Sequence, residues 1–238
     1  MAGSGRLSGY LNESRRPLVC LAFVLPLLVI YEIGVLALGT AAVRNGADVW
    51  LRTLLDWTGL GGYWLLPVLT IGVLLAWHHT THQPWEVRVS TLYGMLLEST
   101  LLALCLLVIA HLQGVMLRIA PVAAKFGDDA LRLVGRMVGF FGAGIYEEVL
   151  FRLLLLPVVA AAIGWVGGSP RWKRVGSIVI TALLFSAAHY LGQHGETFAL
   201  STFIFRFLAG VFFAVLFVYR GFGIAAGTHA LYDIFVGW

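Results

Sequence analysis

From Leu18 to Val43 the chain passes through apolar residues with a single charge, Glu32, on the way. Runs of the same character recur at Tyr63–Trp77, Val89–Leu117, Val138–Val166, Val175–Leu191, Phe198–Tyr219 and Phe222–Trp238. A bilayer core takes about 20 apolar residues per helix, so these runs predict about seven membrane spans. Composition agrees: 12% of the 238 residues are Asp, Glu, Lys or Arg, and 60% are hydrophobic, with a mean hydropathy of +0.89. A soluble domain carries about 25% charge, and so few charges cannot cover a water-soluble globule. With Pro at 7 and Cys at 2, disordered, collagen-like and disulfide-scaffold classes are excluded as well. The expected fold is all-α, a polytopic transmembrane helix bundle.

Between the first two runs, Asp48 to Leu60 mixes Trp50, Leu51, Leu54, Leu55 and Trp57 with Asp48, Arg52 and Asp56 at helical spacing. This predicts one amphipathic helix lying in the interface. Residues 1–16 read as a polar, basic tail, 17–134 as N-terminal transmembrane helices, and 135–238 as a core rich in ionisable residues. The first run is too long for the apolar region of a signal peptide, so it reads as a retained anchor. Arg118–Arg136 reads as a polar connection with Lys125, Asp128 and Asp129. Basic residues in the tail, in the Arg171–Arg174 loop and at Arg220 favour a cytoplasmic N-terminus, with the Gln193–Thr197 loop on the other side. Cys20 and Cys105 lie inside apolar runs and read as small buried hydrophobes. The lipid bilayer is the expected partner; nucleic acid is not.

An ionisable residue at mid-membrane depth costs a few kcal/mol on insertion scales, so such residues pair, face a wet cavity or work. Glu32 and Glu98 read as single residues bonded to a neighbouring helix. The last hundred residues gather more. Glu148 and Arg152 are four apart with the acid first, the favourable order for a helical ion pair. Glu147 is turned about 100° away and stays available. His189 follows Ser186, Ala187 and Ala188, small residues that let another helix approach. His229 and Asp233 are again four apart and share a face. A carboxylate base with imidazoles is what activation of a water molecule requires, and a second imidazole serves a developing oxyanion. A proton-coupled transporter uses the same residue types.

Order and spacing resemble the CPBP family of intramembrane proteases (CAAX proteases and bacteriocin-processing enzymes). The matching residues are Glu147, Glu148 and Arg152 for Glu-Glu-x-x-x-Arg, Phe185 and His189 for Phe-x-x-x-His, and His229 and Asp233 for His-x-x-x-Asn/Asp. The resemblance covers residues 135 to 238. It implies an intramembrane endopeptidase in which Glu147, beside His189, activates water. His229 and Asp233 would stabilise the oxyanion, and Glu148 with Arg152 would hold the site together. Asp233 departs from the Asn of the similar eukaryotic CAAX proteases, because an ionised Asp only accepts hydrogen bonds. Glu147, His189, His229 and Asp233 are also of the right types to hold zinc, so zinc and a metal-free glutamate-activated water stand as equal alternatives. The implied substrate is a membrane-anchored or lipid-modified protein or peptide. The competing functions are a non-catalytic immunity or scaffold protein and a proton-coupled transporter, the latter disfavoured by the lack of an internal repeat. His78, His79 and His82 read as an interfacial cluster rather than a metal site. Arg206 is expected to pair with Glu98 or Glu32, or to meet a substrate carboxylate.

Overall fold

The computed structural model describes residues 2–39, 42, 44–116, 130–192 and 195–237. Most of the Arg118–Arg136 connection, including Lys125, Asp128 and Asp129, lies outside the described residues, as do Gln193 and Trp238. The described residues form helices and no strands: α1 (Ala2–Glu13), α2 (Pro17–Leu38), α3 (Gly46–Trp57), α4 (Leu65–Thr80), α5 (Val89–Met116) and α6 (Ala130–Gly142). Two π-helical turns, Ala143–Glu147 and Val149–Leu155, continue α6 into α7 (Leu156–Trp165). Then come α8 (Pro170–Ala188), α9 (Leu200–Arg220) and α10 (Phe222–Gly237).

Local chemistry explains the boundaries. Pro17 opens α2, where its fixed φ suits a helix and its missing N–H costs nothing. Ser169 caps α8 by accepting from the Trp172 N–H, with Pro170 behind it. Gly221, at φ 90°, turns α9 into α10 in one residue. Residues 2–13, within the segment read as a tail, are helical, and Tyr10 of α1 donates to Glu98 of α5 at 2.5 Å.

Four helical stretches are long and apolar enough to cross a membrane: Pro17–Leu38, Val89–Met116, Leu133–Trp165 and Leu200–Arg220. Helices α4 and α10 have 16 residues each. The first turns of α8 hold Arg171, Lys173 and Arg174. Among the described residues, four of the seven expected spans thus reach full bilayer length as single helical stretches. The outer surface is apolar, with Leu97, Val158 and Trp165 exposed, as lipid contact requires.

Helix α10 sits at the centre. Phe222 through Ala230 are all buried, and the helix packs against α2, α5, α9 and the first π turn. Small residues permit this closeness. A Cβ on Gly144 would come within 2.6 Å of the Ala230 Cβ and 2.7 Å of its backbone nitrogen. Likewise Gly210 of α9 lies directly on Ala182 of α8. These contacts bring three chain segments, 143–155, the end of α8 and the middle of α10, to one place.

Candidate active site

Glu147 ends the first π turn, and Glu148 sits between the two. A π turn takes its backbone hydrogen bonds from i to i+5, and such turns are frequent at functional sites. Within this altered register Glu148 and Arg152 still pair, Oε1 to Nη1 at 2.9 Å. Both are sealed from solvent, at 0% and 1% exposure. Arg152 is boxed by aromatic rings, its guanidinium 4.4 Å from the Phe185 centroid and 5.4 Å from that of Phe213, and it donates to the Gly210 carbonyl at 3.2 Å.

Glu148 also meets His229 Nδ1 at 2.8 Å. Paired with Arg152, the carboxylate is an acceptor, so a ring hydrogen sits on Nδ1 and Nε2 is left to face Glu147 and Asp233. Phe213 stacks on this imidazole at 4.4 Å with an interplanar angle of 14°, fixing the ring plane. His229 Nε2 lies 3.6 Å from Asp233 Oδ2 and 3.8 Å from Glu147 Oε2.

His189 caps the end of α8. Its Nδ1 is 2.8 Å from the Phe185 carbonyl oxygen. A carbonyl only accepts, so Nδ1 carries the hydrogen and Nε2 offers its lone pair. That nitrogen stands 4.0 Å from Glu147 Oε2. Glu147 Oε2 is thus flanked by two imidazole nitrogens while having no hydrogen-bond partner of its own among the described residues. The separations exceed a direct hydrogen bond and suit one oxygen atom lying between. Exposure grades outward, from sealed Glu148 and Arg152, through Glu147 at 12%, to Asp233 at 23% and His189 at 27%. Solvent therefore reaches the cluster from the side of His189 and Asp233.

All six residues singled out from the sequence, Glu147, Glu148, Arg152, His189, His229 and Asp233, come together here. Among the described residues no group of three His, Cys, Asp or Glu side chains is arranged to hold a metal ion. That statement includes His78, His79 and His82. His78 is buried beside Trp85, at 4.7 Å between ring centroids, whereas His79 and His82 are exposed.

Of the remaining charged residues, Glu32 and Glu98 bond neighbouring helices as expected, whereas Arg206 pairs differently from expectation. Arg206 binds Glu196 at 2.5 Å, within its own neighbourhood, instead of Glu98 or Glu32. Glu98 pairs with Arg220 at 2.5 Å. Glu32 accepts from Arg52 at 2.9 Å and from Tyr146 at 2.5 Å.

One site residue escaped the sequence reading. Asn45 donates through Nδ2 to Glu147 Oε1 at 2.8 Å. Its position before a helix marks it as an N-cap, which is a local signal and says nothing about a partner 102 residues away.

Residues 130–235 match the model of the family described as Rce1-like, type II CAAX prenyl endopeptidase. No curated protein and no solved structure matches the chain.

Proposed function

We propose, from the match of residues 130–235 to the Rce1-like CAAX protease family, that this chain is a membrane-embedded protease that cuts a peptide bond by water activated at Glu147. One observation carries the reading. Among the described residues Glu147 Oε2 has no hydrogen-bond partner, and it faces the Nε2 atoms of His189 and His229 at 4.0 and 3.8 Å. Such spacing suits a water held at about 2.8 Å from each of two acceptors.

In this reaction Glu147 Oε2 takes one proton from water, and the His189 Nε2 lone pair orients the second. The water oxygen bonds to the scissile carbonyl carbon, and the carbonyl π electrons move onto its oxygen. His229, in its doubly protonated form, donates from Nδ1 to Glu148 and from Nε2 to that oxyanion. Asp233 holds the imidazolium from the open side, which is a role for an acceptor and needs no amide at this position. Collapse of the tetrahedral intermediate breaks the C–N bond, and the proton on Glu147 passes to the departing amine. Arg152 anchors Glu148, which anchors His229.

Each step uses the chain's own groups. Zinc, the alternative chemistry for these residue types, is addressed by measurement. Cleavage persisting through dialysis against a chelator supports the glutamate reading. Loss on chelation, restored by zinc alone, would assign a metal instead.

The substrate class in this reading is a membrane-anchored or lipid-modified protein or peptide, cut close to the bilayer. Seven passes with a cytoplasmic N-terminus belong to the same reading. Membrane proteomics comparing wild type with Glu147→Ala is the test. Substrates should accumulate uncut in the variant, and an unchanged peptide profile would sink the proposal.

A further inference from the structure

Asn45 lies between α2 and α3, outside the matched residues 130–235, and touches the proposed base. Its side-chain orientation is not free. Oδ1 accepts from the Ala47 N–H at 2.8 Å, capping α3, so the amide nitrogen must turn the other way, toward Glu147 Oε1. Its own backbone N–H donates to the Tyr31 hydroxyl at 3.3 Å. Tyr31 in turn donates to Asp48 Oδ2 at 2.8 Å, and Asp48 is fully buried between Arg44 and Arg52, each at 2.6 Å. Arg52 continues to Glu32, and Glu32 accepts from Tyr146, the residue next to Glu147. The hydrogen-bond path thus leaves the α2–α3 unit at Asn45 and returns to it through Tyr146.

We propose that Asn45 is a positioning residue for catalysis, which ties down Glu147 Oε1 so that Oε2 alone faces the two imidazoles. The inference rests on the reading of Glu147 as base. Around Glu147 the other polar groups are His189 on α8, His229 and Asp233 on α10, and Glu148 beside it. Among the described residues Asn45 is the amide donor in the set. Without it the carboxyl can rotate about its terminal torsion, which is broad and two-fold, and either oxygen then drifts away from the reacting water. Misplacement of about 1 Å costs on the order of 100-fold in rate.

Two substitutions separate this role from helix capping. Asp and Ser both serve as N-caps, yet Asn45→Asp and Asn45→Ser each remove the amide donor. In the purified full-length protein, assayed on a quenched fluorescent prenylated peptide in liposomes, both should lower kcat by about 10- to 100-fold with KM unchanged. Thermal unfolding of Asn45→Ser, Glu147→Ala and the double variant supplies a measurement that needs no turnover. Asn45→Ser should lower Tm by about 5 °C in wild type and by much less in the Glu147→Ala background. Additive Tm losses would overturn the contact, and coupled losses with an unchanged kcat would overturn the positioning role. If wild type does not cut the peptide, the protease reading loses its support on that substrate. The unfolding cycle then still decides whether Asn45 holds Glu147.

Discussion

Among the described residues, an N-terminal and a C-terminal polar cluster are buried in the apolar bundle, and they are built on different charge balances. The N-terminal one sets Glu32 and Asp48 against Arg44 and Arg52, two acids and two bases, with both Asp48 oxygens engaged. The C-terminal one gathers Glu147, Glu148 and Asp233 around Arg152 and two imidazoles. Three carboxylates against one guanidinium leave negative charge that protons on the histidines or the acids can balance. A cluster whose charges cancel needs no proton traffic and serves as a strut. One whose balance depends on protons is suited to moving them.

Isosteric neutralisation of one acid in each cluster breaks this comparison most directly. Glu147→Gln removes the proton acceptor, so peptide cleavage should fall by about 100- to 10,000-fold while Tm stays near wild type. Glu32→Gln should do the reverse, lowering Tm while turnover per folded molecule stays within a few-fold. Parallel activity assays and thermal unfolding in the same detergent would show it, and matching behaviour of the two variants would erase the distinction.

Arg152→Met comes next. It leaves Glu148 buried beside His229 without its counter-charge, and removing one partner of a buried pair costs about 3–5 kcal/mol. Denaturation should reveal a large loss of stability together with a loss of activity, since the arginine supports both the fold and the site. A fully stable Arg152→Met would mean that Glu148 does not need it.

Gly144→Val tests how tightly α10 is drawn against the π turn. The added carbons meet the Ala230 backbone, and overpacking of this kind costs about 1–3 kcal/mol. The smallest effect is expected at Glu98→Gln. Its pair with Arg220 is two-pronged and largely buried, at 23% and 15% exposure, and the variant keeps a hydrogen-bond acceptor, so the loss should be about 1 kcal/mol. A large destabilisation there would add a third structural cluster to the two compared.

Much of the site was legible in the sequence because its short-range relations follow helical spacing. The Glu148–Arg152 pair and the approach of His229 to Asp233 are both four-residue relations, and both are present. Apolar run length likewise announced helices long enough for a bilayer, although 16-residue α4 and α10 show that a run does not dictate the length of its helix. The π turns at 143–155 were not legible, since apolar residues fit either hydrogen-bond register equally well. Partner choice for Arg206 was not legible either: it depended on where the connection after α8 brings Glu196.

What the sequence by itself determined is therefore the solvent, the helical class and the chemical inventory. Hydrophobicity and fixed spacing act along the chain and need no knowledge of the fold. Only the tertiary structure decided which inventory members meet. The His229–Glu148 bond spans 81 residues and the Asn45–Glu147 bond 102. Both depend on how closely helices pack, and that closeness is set by small residues such as Gly144 and Gly210 facing their neighbours. Nothing in the local sequence around Asn45 distinguishes an ordinary helix cap from one that also holds a carboxylate. The difference arises only when α3 is docked against the π turn.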